Sequence, residues 1–365
     1  MANGSYALAT EDRIILSSNL DLPMVPASIS KLLTSLLAIR TLGLDYRFRT
    51  EFYIDQDKNL FIQGFGDPFL VSEEIPDIMQ NLTKRGVNEV RTIFIDDSSF
   101  NLSAPPDGAG ETLNPYDVSP GGLVVNFNTV NISKDKTGLI TSAEPQTPLL
   151  PIMKTLGRNL PAGIHRINIS HEPENVTTLT GELFRAFQVS AMISGEGPIL
   201  QKKIPPDAKH IYTHRSSKNL EELITGMLLY SNNFTANQLF LTVGAVLHGY
   251  PATWEKAQSA IHDFIDADPV LSKSGITIIE GSGLSRKNKV TARAMLQILK
   301  LFRTYTDLLP SENGDLIKSG TLTGVYSYAG YLKRNHSLQS FVIILNQNRN
   351  TRDRILSLLK TVNEN

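Results

Sequence analysis

The sequence predicts a mixed α+β protein with helices around an antiparallel sheet, interrupted by an inserted β-rich region. Three observations carry this. A helix near the start has apolar positions 29, 32, 33, 36, 37, 38, 39 and 42, which cover most of its circumference. Residues 46–205 change texture, to short alternating segments separated by turn clusters. From about residue 218 helical periodicity returns, and two strands and a last helix close the chain.

Taken in order, residues 6–16 read as strand around a polar turn at Glu11-Asp12. A Pro-punctuated loop, Leu22-Pro23-Met24-Val25-Pro26, leads into the buried helix, and Gly43 is its expected stop. Within 46–205 the strand-like segments are 48–54, 60–62, 90–95, Leu123-Val124-Val125 and 165–169, with one helix at about 73–85. Residues 101–122, rich in Pro and Gly, read as a long loop. Helices then fit 219–230, 234–247, 252–266 and 291–304, with the polar bend Ser231-Asn232-Asn233 between the first two. Strands fit about 316–332, with a turn, and 338–346, before an amphipathic helix at 351–361. The division expected is a discontinuous unit of residues 1–45 and 206–365 around an insertion of 46–205.

Composition narrows the function. The chain has 365 residues, long enough for roughly two or three domains. With 35 Lys+Arg against 36 Asp+Glu it lacks the basic footprint of a nucleic-acid binder. The absence of cysteine removes disulfides, thiolate nucleophiles and Cys-based metal sites together. The seven His residues show no ligand spacing, and the best metal candidate, His171-Glu172-Pro173-Glu174, sits on a loop and reads as surface. No apolar run is long enough to span a membrane. The opening residues Met1 to Tyr6 do not read as a secretory signal, which leaves a cytoplasmic protein or a chain that begins after cleavage. Phosphate-loop, zinc-protease and G-x-S-x-G motifs are absent.

A hydrolase here would work without a His triad, and one arrangement allows that. Ser28-Ile29-Ser30-Lys31 is S-x-x-K at the start of the buried helix, so the i, i+3 spacing puts hydroxyl and amine on one face. A helix start also supplies free N–H groups near Ser28. A lysine becomes a general base once burial and a second cation lower its pKa. Ser231-Asn232-Asn233 supplies a hydroxyl and an amide in a bend between helices. Lys318-Ser319-Gly320-Thr321 sets a cation, a hydroxyl and a glycine on a strand, where the glycine allows close approach and the next N–H can face an oxyanion. Each alone is also what a helix cap or an edge strand produces. Together, in this order, they form the set found in penicillin-binding proteins and class A β-lactamases.

The stretch Pro26 to Thr34 resembles the nucleophile helix of the class C low-molecular-mass penicillin-binding proteins, the D-alanyl-D-alanine carboxypeptidases and endopeptidases. Four more stretches resemble that family: Gly64-Phe65-Gly66-Asp67-Pro68, residues 124–130, Glu280-Gly281-Ser282-Gly283-Leu284-Ser285-Arg286 and residues 318–325. An insertion between the first two motifs, also implied by the resemblance, accounts for the 203 residues from Ser28 to Ser231. Two positions depart from the family pattern: Ser319 replaces the usual Thr, and Glu280 the usual Asp.

The resemblance implies a serine β-lactamase/transpeptidase-like catalytic domain and a serine DD-peptidase of peptidoglycan stem peptides that also binds β-lactam antibiotics covalently. Ser28 would be the nucleophile, Lys31 its base and Ser231 the proton relay to the leaving amine. Asn233 would hold a substrate amide, and Lys318, Ser319 and Arg286 the terminal carboxylate. Gly320 would let the strand pass close, and the N–H groups of Ser28 and Thr321 would form the oxyanion hole. No cofactor or metal is implied, and the location would be extracytoplasmic, with the export signal absent from this chain. Two rivals stand beside this reading. A class A β-lactamase needs an E-x-x-L-N loop, and Glu111-Thr112-Leu113-Asn114 is one residue short of it. A non-catalytic peptidoglycan-binding protein of the same fold would have no need of every motif residue.

Overall fold

The computed structural model describes residues 3–334 and 337–362; residues 1–2, 335–336 and 363–365 lie outside it. The chain opens with an antiparallel hairpin of β1 (Gly4–Ala9) and β2 (Ile14–Ser18). A 3-10 turn, Ala27–Ser30, then runs into helix α1 (Lys31–Leu42), which stops at Gly43 with φ +80°.

Two sheets follow. Strands β3 (Arg49–Ile54) and β4 (Leu60–Gly64) precede helix α2 (Ile75–Lys84) and strand β5 (Ile93–Asp96). Next come β6 (Thr129–Lys134), β7 (Ile140–Ser142), helix α3 (Pro151–Gly157), β8 (Gly163–Asn168), helix α4 (Pro173–Ser190), β9 (Ile199–Gln201) and β10 (Lys209–Arg215). The larger sheet has the order β10-β3-β4-β5-β9, and β4, β5 and β9 run parallel; the smaller is β7-β6-β8, antiparallel. Parallel neighbours need crossovers, and helices α2 and α4 lie on them. The sequence shows only the first of the three helices here. It places Leu123-Val124-Val125 on a strand, whereas in the structure these residues are a buried stretch of loop without strand pairing. Strand β10 pairs with β3, so this sheet takes in residues beyond the expected boundary at 205.

The remainder is helix α5 (Leu220–Tyr230), α6 (Asn233–His248), α7 (Trp254–Asp266) and α8 (Ala292–Phe302), then β11 (Ser311–Glu312), β12 (Asp315–Leu322), β13 (Val325–Arg334), β14 (Ser337–Asn346) and helix α9 (Arg352–Thr361). The strands join the first hairpin in an antiparallel sheet of order β11-β12-β13-β14-β1-β2. Alternation along the strands sorts their side chains to two faces. Ala7, Ala329, Tyr331, Val342 and Ile344 join the core built by α1 and α5–α8. Leu8, Phe341, Ile343 and Leu345 meet Ile355 and Leu359 of α9 on the other face. A separate core, including Phe52, Ile62, Ile95, Ile132 and Leu183, fills the region of the other two sheets.

The segment that leaves at β3 returns to the same point. The Ser216 N–H donates to the Phe48 carbonyl at 2.9 Å, and the Arg47 guanidinium donates to the Ser216 carbonyl, also at 2.9 Å. Helix α1 lies at the centre of the helical core, packed on α5, α6 and α8, which explains apolar residues on most of its sides.

Candidate active site

Ser28 stands in the 3-10 turn that precedes α1, and it alone of that turn is not buried. The turn is held from three sides. Ala27 has φ +51°, a conformation that costs an L residue and persists where its surroundings enforce it. The Ser30 hydroxyl donates to the Ala27 carbonyl at 2.9 Å. Gly320 of β12 passes so close that a Cβ there would stand 2.8 Å from the Ser28 nitrogen and 2.3 Å from the Ser327 hydroxyl. Only glycine fits that approach, and it brings the strand against the Ser28 N–H.

Lys31, one turn on, is completely buried. Its Nζ lies 3.0 Å from Ser28 Oγ, 2.8 Å from Asn233 Oδ1 and 2.6 Å from the Ser282 carbonyl. Burial first, and then the Lys318 cation, hold its ammonium well below the usual lysine value, while the Glu280 carboxylate opposes them. Lys318 Nζ lies 3.0 Å from Ser231 Oγ, and burial pulls its pKa down to about 8.

Ser231 ends α5 in a left-handed conformation, φ +54°, and Asn232 caps α6 by accepting from the Thr235 N–H. That tight link aims Ser231 toward Lys318 and Asn233 toward Lys31. One local link therefore both caps α6 and places the two side chains against the lysines.

The Glu280–Arg286 loop supplies a part that sequence reasoning missed. The buried Glu280 carboxylate accepts from the Ser282 N–H and hydroxyl, the Gly283 and Ser285 N–H groups and the Asn288 amide. It thereby folds the loop so that the Ser282 carbonyl meets Lys31. Gly283, at φ +91°, lies where a Cβ would stand 2.1 Å from the Ala27 carbonyl oxygen, so this loop seats on the Ala27–Ser30 turn. The acidic residue before G-S-G was the available signal; the carbonyl, being backbone, left none.

The 101–122 loop forms a second wall. Asp107 accepts from the Ser285 hydroxyl at 2.7 Å and pairs with Lys287, which holds its carboxyl below the usual range. Gln238 of α6 binds both the N–H and the carbonyl of Gly121, and the Asn233 amide reaches the Tyr116 carbonyl. Arg286 is exposed at the rim and donates to the Thr323 carbonyl at 2.6 Å on the β12–β13 turn. Ser319 and Thr321 are exposed on β12, and Lys318 and Gly320 are buried, as strand alternation requires.

The structure thus brings Ser28, Lys31, Ser231, Asn233 and Lys318 into one connected cluster, with Gly320 against it and Arg286 at its rim. Among the described residues no group of three His, Asp or Glu is placed to hold a metal ion. His171 instead bonds the Thr112 carbonyl at 2.6 Å and pins the long loop. A lysine whose three oxygen neighbours include a hydroxyl can take that hydroxyl's proton once it is neutral.

Comparison with known proteins gives the same direction. A family model described as the D-Ala-D-Ala carboxypeptidase 3 (S13) family matches residues 5–157 and 153–311, ending before β12. The D-alanyl-D-alanine carboxypeptidase of Actinomadura sp. (strain R39) is 24% identical, the match covering 88% of this chain and 73% of that protein. The crystal structure of penicillin-binding protein 4 from Haemophilus influenzae superposes with a TM-score of 0.79 at 19% identity, covering 95% of this chain and 91% of that one. The same protein in complex with a β-lactam superposes at 0.73. These two likenesses are of fold.

Proposed function

The chain belongs to the D-Ala-D-Ala carboxypeptidase 3 (S13) family, and from that membership we propose the chemistry its residues perform: it is a serine DD-peptidase that cleaves the terminal D-Ala-D-Ala bond of peptidoglycan stem peptides through an acyl-enzyme. The observation that carries the mechanism is the trio of oxygens around Lys31 Nζ. A neutral amine has two N–H donors and one lone pair. Donation to Asn233 Oδ1 and the Ser282 carbonyl leaves the lone pair for the Ser28 hydroxyl.

Lys31 takes the Ser28 proton as Oγ attacks the scissile carbonyl. The oxyanion forms between the N–H groups of Ser28 and Thr321. Ser231, set between Lys31 and Lys318, relays the proton from Lys31 to the departing D-alanine nitrogen as the C–N bond breaks, which leaves Lys31 neutral again. Asn233 holds a substrate amide; Lys318, Ser319, Thr321 and Arg286 hold the terminal carboxylate. Water, deprotonated by Lys31, then attacks the ester and frees Ser28. A β-lactam presents the same carbonyl and carboxylate and acylates Ser28 by the same steps.

The catalytic unit in this reading is residues 1–45 and 206–365, around an insertion of 46–205 whose sheet is completed by the returning strand β10. The substrate assigns the protein to the outside of the cytoplasmic membrane. Among the described residues no helix is long and apolar enough to cross a membrane.

The test is intact-mass spectrometry after incubation with penicillin. The native protein gains the mass of one penicillin and Ser28→Ala gains none while keeping its circular dichroism. Labelling that survives in Ser28→Ala refutes the assignment. Mass analysis of products from purified peptidoglycan peptides then separates release of terminal D-alanine from cleavage of cross-links.

A further inference from the structure

Arg352, the first residue of α9, lies outside every motif, yet it touches the third one. Its Nη1 donates to the Gly320 carbonyl and to Thr321 Oγ1, both at 2.9 Å. The guanidinium lies over the Tyr328 ring, with its carbon 4.3 Å from the ring centroid, and Tyr328 in turn donates its hydroxyl to Asp353 at 2.9 Å. Ile355 and Leu359 anchor the same helix in the apolar layer behind the sheet. The Nε–H of Arg352 is buried without an acceptor, so the side chain is held by its other contacts rather than by full satisfaction.

The consequence lies in the direction of one proton. A threonine hydroxyl has one hydrogen and two lone pairs, and a guanidinium can only donate. The bond from Arg352 therefore occupies a lone pair of Thr321 and leaves its hydrogen to donate elsewhere. Thr321 is exposed, and its hydroxyl has no acceptor among the described residues. We propose that Arg352 is a positioning residue for recognition of the substrate's terminal carboxylate, acting through Thr321: it commits that hydroxyl to donation and places a fixed positive charge one hydroxyl away from the anion. Arg352 does not touch the substrate. The proposal rests on the DD-peptidase reading above and adds to Lys318 and Arg286 a third cation, from the far face of the sheet, that selects for a free carboxylate.

The test uses two thioester acyl donors that differ only in the leaving group, one carrying a free carboxylate and the other its methyl ester. Penicillin labelling of the native protein serves as the independent check on the underlying reading. In Arg352→Gln, kcat/KM for the free acid falls roughly 10- to 100-fold, the scale of a lost charge-assisted hydrogen bond. The methyl ester falls by less than about threefold, since it offers no anion. Arg352→Lys keeps the charge and recovers part of the loss, and it carries the question if the Gln variant does not fold. Thr321→Val loses the same preference for the free acid, and the double variant is no worse than either single one, because both act on one bond. Equal falls on both substrates, or none, overturn the proposal and make Arg352 a structural residue. A native protein that takes penicillin but shows no preference for the free acid overturns the proposal alone; one that takes neither penicillin nor thioester overturns both readings.

Discussion

Replacing Lys318 by methionine should destroy activity and raise stability, and the gain should depend on pH. Lys318 is only 2% exposed, and burial takes its pKa from 10.5 to about 8. The folded state therefore holds this proton less tightly than the unfolded chain does. Below pH 8 both states are protonated and the full penalty is present, about 3 kcal/mol for that pKa difference. Between pH 8 and 10.5 the unfolded state binds more protons, so native stability rises with pH; above 10.5 the penalty is gone. Methionine carries no charge and fills a similar volume, but it gives up the bond to Ser231, worth about 1 kcal/mol. The variant should thus gain about 2 kcal/mol at pH 7, and this gain should vanish and reverse slightly by pH 10.5. The assay is urea unfolding at several pH values. Trp254 is the chain's single tryptophan and lies in the core that contains α1, so its fluorescence reports that core. A stability difference that stays constant from pH 7 to 10.5 would refute the reasoning.

Other substitutions probe the remaining parts. Lys31→Arg should slow penicillin acylation by about 1,000-fold or more, because a guanidinium stays protonated. The native acylation rate, followed by stopped flow, should rise with pH along an acid limb well below the usual lysine value, as the burial of Lys31 and the nearby Lys318 cation require. Gly320→Ala should cut acylation by roughly 100-fold, because the new methyl meets Ser28 and Ser327 and pushes β12 off the oxyanion site; burst kinetics with a chromogenic β-lactam measures it. Glu280→Ala should lower the thermal midpoint sharply, at a cost of about 3 kcal/mol or more, since it strands several buried donors at once.

The parts legible in the sequence were those whose structure is local. Apolar residues on most sides of α1 required neighbours on most sides, and α5, α6 and α8 provide them. Ser28 and Lys31 share a face through spacing alone, although the serine occupies a 3-10 turn rather than the helix itself. Helix α4 was missed because Val176, Thr177, Thr178, Thr180 and Gly181 are weak helix formers; packing on the sheet, where Gly181 seats against Ile199, outweighs that propensity. Leu123-Val124-Val125 misled for the opposite reason, since an apolar run reports burial and not strand pairing. Strand β10 is polar apart from the adjacent Ile211 and Tyr212, and only His214 in it is buried, so no apolar alternation marked it. The Ser282 carbonyl and Arg352 were unreadable because one is backbone and the other meets its target only across the finished sheet.

The hydrogen bonds that join Arg47 and Phe48 to Ser216 bear on how the Ser28–Lys31–Asn233 cluster can assemble at all. Lys31 and Asn233 must meet across 202 positions of chain, a long loop to close from an unfolded state. Loop-closure entropy grows with the logarithm of length. The intervening segment has its own apolar core, and its two ends emerge side by side. Once that core forms, the span between Lys31 and Asn233 shrinks from some two hundred flexible residues to the roughly thirty-four that lie on either side of the joint. By the same logarithm this lowers the entropic cost of closure by roughly 1.5 kcal/mol. The segment between Phe48 and Ser216 then works as a clasp during folding, and a nick within it that left its sheets paired would spare the Ser28–Lys31–Asn233 cluster, whereas loss of the Arg47, Phe48 and Ser216 contacts would slow its assembly.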